Sequence, residues 1–144
     1  GYNLLTRSGI VASDFYLLPA RPEPLSIVGI QLLERRIARL KESHQQHSPL
    51  NLQLLGIIFI LSGGGLMGRY YRQVMRRVDN DFDSNQIFNI RIPMDVNVAK
   101  AVDSFSPVVI AHPNSAGSKA FFKLTEEFLL KLEAIKTMEQ IRDE

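Results

Sequence analysis

Apolar residues recur at helical spacing in three long segments, Ser26 to Glu42, Tyr70 to Val78 and Ser115 to about Arg142. Ser26 is the expected N-cap of the first segment, because a serine hydroxyl can accept a hydrogen bond from an unpaired helix amide. Shorter helices are predicted at Leu4 to Ala12 and at Asn97 to Asp103. The last long helix carries an apolar stripe formed by Phe121, Leu124, Phe128, Leu132 and Ile135.

Between these helices the pattern changes to that of strands. Leu54 to Leu61 is a continuous apolar run, which is typical of a strand covered on both faces in a parallel sheet. Asp14 to Pro19 and Gln86 to Ile92 are also predicted strands, and Pro107 to Ala111 is predicted to be a short strand or an extended segment. Helices that alternate with strands indicate an α/β fold with a mostly parallel sheet flanked by helices. Ligands of such sheets bind beyond the carboxyl ends of the strands.

Composition narrows the class of protein. The chain has 144 residues, 45% of them apolar and 22% charged, which predicts one globular domain (1–144) or a large part of one. Cysteine is absent, which excludes disulfides and thiolate metal sites and fits the cytoplasm. The longest apolar run is too short to span a membrane. The net charge of +2 means that a nucleic-acid partner would need a local basic patch.

A glycine-rich stretch, LSGGGLMGRYY, follows the apolar run and suggests a phosphate loop of the form G-x-x-x-x-G-K-[ST]. Gly63 and Gly68 fit that form, but Arg69 replaces the lysine and Tyr70 replaces the hydroxyl residue that would bind magnesium. A planar guanidinium does not reproduce a lysine ammonium, and a tyrosine is too long for the metal position. We therefore interpret the stretch as a glycine turn between a strand and a helix.

The segment IPMDVNVAKAVDSFSPVVIAHPNSAGSKAFFKL resembles the C-terminal half of ParA/MinD-type ATPases. That family carries I-P-R-N-V-x-L-x-E-A, then a G-K-P-V-like segment, then Y-D-P-x-S-x-G-A. Upstream, LLPARPEPLSIVGIQLL is similar to the family's V-P-V-Q-P-E-x-x-A-L-x-G-L-x-x-L-L, and GYNLLTRSGIVASD is similar to the stretch after its D-x-P-P motif. Seven residues of this C-terminal segment match these three successive patterns: Pro93, Val96, Ala101, Pro107, Pro113, Ser115 and Gly117.

The resemblance implies the C-terminal part of a P-loop NTPase-like fold. It also implies that the phosphate loop and the residues that hold ATP and Mg²⁺ mainly precede Gly1, so the 144-residue chain alone is expected to lack ATPase activity. In the family, ATP closes two subunits into a homodimer. The dimer binds nonspecific DNA or a membrane, and a partner (ParB-like in the DNA-binding branch) stimulates hydrolysis. We expect a cytoplasmic, nucleoid-associated protein that helps to partition a chromosome, plasmid or other cargo.

Four residues are candidates for nucleotide contact on the basis of this resemblance. The segment after Ile92 borders the adenine in the family, which points to Pro93, Met94 and Asp95. Glu23 matches an acidic position that can reach the partner subunit's nucleotide. The chain departs from the family pattern at Met94, which replaces an arginine, and at His112, which replaces an aspartate. The family's basic position near Asn97 is also absent, so DNA binding through these positions is in doubt.

Other cations could contact DNA instead. The predicted helix at Tyr70 follows directly on Arg69 and carries Arg72 and Arg76, while Lys119 and Lys123 lie on the last helix. Lysine and arginine contacts to phosphates would give salt-dependent binding without sequence preference. A plain solvated helix face is the competing interpretation, because aspartates follow the arginines closely. The acidic C-terminal end favours DNA over an anionic membrane as the partner.

Two other functions remain open from the sequence. The chain could be a noncatalytic module for dimerisation or partner binding, or it could be related to cobyrinic acid a,c-diamide synthases, which share the nucleotide fold. No metal site is predicted. His44 and His47 lie three residues apart in a glutamine-rich loop without a third ligand.

Overall fold

The computed structural model describes residues 3–61 and 68–144. Helices and strands alternate through the first half of the chain, and helices follow in the second half. In chain order the elements are α1 (Leu4–Val11), β1 (Phe15–Ala20), α2 (Pro24–His44), β2 (Gln53–Phe59), α3 (Gly68–Asp81), a 3₁₀ turn (Ser84–Gln86), α4 (Val96–Asp103), α5 (Val108–Ala111) and α6 (Ala116–Asp143). The predicted α/β class is confirmed. Most of the glycine stretch, residues 62–67, lies outside the described residues.

The sheet contains two parallel strands in the described part of the chain. β1 pairs with β2 in a register that runs from Phe15 opposite Gln53 to Ala20 opposite Phe59. Residues 87–92 lie along the other side of β2 and form only two isolated parallel bridges, Ile57 with Ile87 and Ile60 with Ile92. The sheet is therefore parallel, as predicted, but smaller than predicted.

The prediction of a continuous strand at Gln86 to Ile92 is wrong, because a side chain from α6 takes two of its backbone donors. The Glu127 carboxylate accepts hydrogen bonds from the amides of Asn89 at 2.8 Å and Ile90 at 2.9 Å. It also accepts from the Asn89 side-chain amide at 3.2 Å. Charged acceptors form strong hydrogen bonds to amides, so this contact competes with ladder pairing between the two bridges.

A β-bulge in β2 sets which side chains face each side of the sheet. Tyr16 pairs with Leu54 but Leu17 pairs with Gly56, so Leu55 is an extra residue in β2. Gly56 is required here because a Cβ at this position would lie 2.5 Å from the Phe88 ring. The missing side chain of Gly56 thus allows Phe88 to pack tightly on the backbone of β2.

Helices cover both faces of the sheet. On one face α2 and α3 pack through Ile27, Ile30, Val74, Met75 and Val78 against Ile57 and Phe59. On the other face α6 places Phe121, Leu124, Phe128, Leu132 and Ile135 on a cluster of Leu55, Ile58, Phe88 and Ile92. The stripe predicted for the last helix is confirmed. Burial on both faces explains why the β2 sequence is continuously apolar.

Two further predictions about elements are wrong. α2 begins at Pro24 with Glu23 as its N-cap, not at Ser26, because proline lacks an amide hydrogen and is well tolerated in the first turn of a helix. The segment Pro107 to Ala111 forms a helical turn, not a strand: the amides of Ile110 and Ala111 both donate to the Pro107 carbonyl at 2.9 Å. Ser115 caps α6, since its hydroxyl accepts from the Ser118 amide.

Candidate functional site

The corner at Ile92 and Pro93 lies at the carboxyl end of the parallel elements. Ile92 donates to the Phe59 carbonyl at 3.0 Å and accepts from the Leu61 amide at 2.8 Å, which fixes the corner beside the end of β2. Proline has no amide hydrogen, so the pairing ends there. Pro93 is half-buried and Met94 is 72% exposed. The corner thus presents an apolar pyrrolidine ring and an accessible thioether side chain, which suit the faces of a nucleobase.

Asp95 joins two helices at this corner. One carboxylate oxygen accepts from the amide and the side chain of Asn97, both at 2.9 Å, and caps α4. The other oxygen accepts from the Gly117 amide at 2.7 Å, in the first turn of α6. The hydrogen bond from Gly117, followed by that from Asn97, lowers the pKa of Asp95. The carboxylate therefore already stabilises two helix N-termini.

Gly117 is part of the same junction because a side chain there would not fit. A Cβ on Gly117 would lie 2.5 Å from the Val98 side chain and 3.1 Å from Asp95 Oδ2. The missing side chain lets α6 approach α4 closely enough for the Asp95 hydrogen bond. The junction holds Pro93 and Met94 in place, and these two residues remain the better candidates for contact with a base.

A basic groove lies beside Pro93, between residues 89–91 and the start of α6. Its volume is ≈ 400 Å³. Lys119 and Lys123, one helical turn apart, line it together with Arg91. The other residues that line it are Asn89, Ile90, Pro93, Ala116 and Ala120. The lining carries three cations, and the Glu127 carboxylate that binds the Asn89 and Ile90 amides offsets part of their charge. The net charge of this region is still positive, which suits a phosphate-bearing ligand.

Sequence reasoning missed Arg91. The residue lies in a stretch where polar Asn89 and Arg91 alternate with apolar neighbours, and that alternation was a usable sign of an outward-facing position. The Arg91 guanidinium also lies over the Tyr71 ring of α3, 5.4 Å from its centroid. Arg91 therefore connects the basic groove to the N-terminal part of α3.

The structure separates the predicted DNA-contacting cations into two groups. Lys119 and Lys123 share the basic groove, whereas Arg69, Arg72 and Arg76 are exposed on α3 and are absent from the groove lining. The Tyr71–Arg91 contact is the described link between the two groups.

Glu23 lies at the end of β1, on the far side of β2 from Pro93. Its carbonyl accepts from the amides of Ser26 at 3.0 Å and Ile27 at 3.2 Å, and its side chain makes no capping hydrogen bond. Two inter-strand spacings, about 10 Å, separate the ends of β1 and of the Ile92 segment. Glu23 and Pro93 therefore share one edge of the sheet without forming one cluster.

Within residues 3–61 and 68–144, no three histidine, aspartate or glutamate side chains are arranged to hold a metal ion. In the same ranges, none of the helices combines the length and the apolar character needed to cross a membrane.

Comparison with known proteins shows what the chain is similar to. The chain is 30% identical over 131 residues to a ParA family protein of Chlamydia trachomatis serovar D, a match that covers 91% of this chain. This chain is a homologue of ParA family proteins. It is also 26% identical over 127 residues to the chromosome partitioning protein ParA of Caulobacter vibrioides, and 27% identical over 130 residues to a virulence plasmid ParA family protein of Chlamydia psittaci. No family model matches the chain.

The ParA similarity covers a defined part of the longer proteins. The match includes 48% of the C. trachomatis protein, 45% of the C. vibrioides protein and 46% of the C. psittaci protein. The chain thus spans about half the length of the curated relatives it matches, and it corresponds to the C-terminal portion of the ParA family. The family resemblance inferred from the sequence motifs is confirmed.

Proposed function

We propose that this chain is the C-terminal portion of a ParA-like ATPase that partitions or positions DNA or another cargo. The observation that carries the proposal is the match to ParA proteins over about nine-tenths of the chain. In this proposal the phosphate loop and the Mg²⁺ ligands belong to an N-terminal portion of the same protein. The protein is cytoplasmic and associates with the nucleoid. It acts as a homodimer, and a ParB-like partner stimulates its hydrolysis of ATP.

In nucleotide binding, this chain forms the wall of the site that contacts the adenine base. Pro93 and Met94 supply apolar faces for the adenine, and Asp95 positions them by tying α4 to α6. ATP, when bound, supplies the free energy that closes the dimer. Glu23 is placed at the same edge of the sheet, where an acidic side chain could reach a nucleotide held by the partner subunit.

In DNA binding, the contacts are made by the basic groove and by α3. Arg91, Lys119 and Lys123 offer three cations in the groove lining. Each phosphate that such a cation neutralises releases counterions, so binding should weaken steeply as salt rises. None of these contacts reads a base, which fits nonspecific DNA.

Charge reversal in the intact protein tests the DNA surface. The double variant Lys119→Glu, Lys123→Glu should lose about tenfold or more in affinity for a nonspecific duplex at low salt, because two phosphate contacts become repulsive. ATP binding should be unchanged. Lys41→Glu, Lys136→Glu is the control, since it changes the charge equally and neither lysine lines the groove. A second double variant, Arg72→Glu with Arg76→Glu, measures how much α3 contributes to the DNA affinity.

The assay also separates the two parts of the proposal. DNA affinity that is unaltered by the groove variant, or reduced as much by the control, contradicts the groove as a DNA surface. A protein that binds no DNA with or without ATP contradicts the partitioning function itself.

A further inference from the structure

Exposed apolar side chains are concentrated on α4 and in the residues that follow it. Val96 is 63% exposed, Val102 is 72% exposed, Phe105 is 98% exposed and Ile110 is 71% exposed. Large apolar side chains in water are unfavourable, and a group of them on a globular protein marks a site of interaction. None of the four lines the basic groove, so the proposed DNA contact does not use them.

Phe105 is unfavourable in two ways at once. Its φ of 51° lies in the left-handed region that favours glycine. Its ring is almost wholly exposed, so it gains no burial that would offset the strain. Strained residues persist at sites where the strain serves a function. Because aromatic side chains are frequent anchors of protein interfaces, Phe105 has the properties of an anchor for another molecule.

The charges of α4 indicate which kind of molecule fits this surface. Lys100 and Asp103 are the only charged residues among 96–111, so an anionic nucleic acid or lipid gains no net attraction there. Val96, Lys100 and Asp103 are spaced at i, i+4 and i+7, which places them on one side of the helix. When two copies of α4 lie antiparallel, Lys100 of each faces Asp103 of the other. The surface is thus complementary to itself, as a two-fold interface requires.

The antiparallel arrangement also gives Phe105 a contact. Phe105 follows the Ser104 C-cap of α4, so it extends toward the N-terminal half of the other α4, where Val96 is exposed. α4 has 8 residues and is therefore about 12 Å long, which makes the contact small. Contacts of this size give weak, reversible association.

We propose that two copies of this chain associate through antiparallel α4 helices, with Phe105 of each copy packed on the other and Lys100 paired with Asp103. The contact requires neither nucleotide nor DNA. It therefore goes beyond the proposed function, whose homodimer forms with ATP, and it can fail while that function stands.

Sedimentation velocity of the intact protein, without nucleotide and over a range of concentrations, tests this inference. The wild-type protein should form a dimer reversibly. Phe105→Ala should weaken the association about tenfold or more, because it removes the anchor and keeps the backbone. Phe122→Ala is the control, since it removes a ring that is 57% exposed on α6. The urea midpoint of each variant checks that its fold is intact.

A charge exchange tests the antiparallel arrangement. Lys100→Asp alone places carboxylates opposite each other and should weaken the association. Lys100→Asp combined with Asp103→Lys brings opposite charges together again and should restore it. A protein that stays monomeric without nucleotide at every concentration overturns the proposal. An association that Phe105→Ala leaves unchanged, that Phe122→Ala weakens as much, or that the double charge variant does not restore overturns it as well.

Discussion

Phe105 occupies a backbone position that usually belongs to glycine. It follows α4 with φ of 51°, in the left-handed region. The Phe105 amide donates to the Val102 carbonyl and the Ser106 amide donates to the Ala101 carbonyl, both at 3.1 Å. These two bonds form a Schellman motif, in which Phe105 takes the C′ position that glycine fills most easily. The phenylalanine ring is 98% exposed, so it gains almost no burial in return.

Replacement of Phe105 by glycine should therefore stabilise the chain. The left-handed conformation costs a non-glycine residue about 1 kcal/mol or more, and the lost ring contributes little packing. Phe105→Gly should raise the free energy of unfolding by up to about 1 kcal/mol, as measured by urea denaturation. Phe105→Ala is the matched control, because it removes the ring and keeps the strained backbone. A glycine variant no more stable than the alanine variant would show that the strain is absent.

At the scale of elements, the junction of α4 and α6 depends on the ionised form of one side chain. Asp95 accepts hydrogen bonds from the first turn of each helix, and these bonds lower its pKa below the ordinary 3.8. A carboxyl whose pKa is depressed on folding stabilises the native state above the pKa of the unfolded chain. That contribution is lost as the pH falls through the lower folded pKa.

The pH dependence of stability checks this account of the junction. The wild-type chain should exceed Asp95→Asn in stability at neutral pH, because asparagine offers one acceptor oxygen for two helices. The difference should shrink as the pH falls below about 4, where the unfolded chain begins to bind a proton at Asp95, and it should be lost once the pH passes below the lower folded pKa. Urea midpoints for both proteins across this range provide the measurement. A difference that stays constant with pH would mean that the charge of Asp95 does not hold the junction.

Most elements were predictable from local sequence. The helices α2, α3, α4 and α6 follow helical spacing, and β1 and β2 follow apolar runs, because the same periodicity that marks an element also buries one of its faces. The short helix α1 was also predicted, although none of its residues is buried. The segment at residues 87–92 was not predictable in the same way. Glu127 lies 37 positions further along the chain than Ile90, whose amide it binds, so no local pattern reports the interruption of that strand.

The candidate site was predictable only in pieces. The spacing of Lys119 and Lys123 already places them on one side of a helix. Their position beside Arg91 and Pro93 depends on how α6 crosses the sheet, which the sequence does not encode locally. For the same reason the role of Asp95 as a cap for two helices appears only in the fold, since Gly117 is 22 residues away.

At the scale of the whole molecule, the sequence similarity points to the kind of protein, and the structure points to the surfaces that could bind a ligand. The chain is similar to a ParA family protein over 91% of its length, and the described fold is an α/β arrangement with a two-stranded parallel sheet between helices. The corner at Pro93 and the basic groove next to it lie at one end of that arrangement. The central claim is that this corner forms the base side of a nucleotide site in a longer ParA-like protein.

The methionine methyl groups offer the most direct test of that claim. Met94 is 72% exposed at the corner, and Met138 is 64% exposed on α6, so Met138 is a control of similar accessibility. In the intact protein labelled at its methionine methyls, addition of ATP and Mg²⁺ should shift the NMR signal of Met94 and leave that of Met138 in place. ATP that binds, as measured by dialysis of the same sample, without moving the Met94 signal would contradict the account.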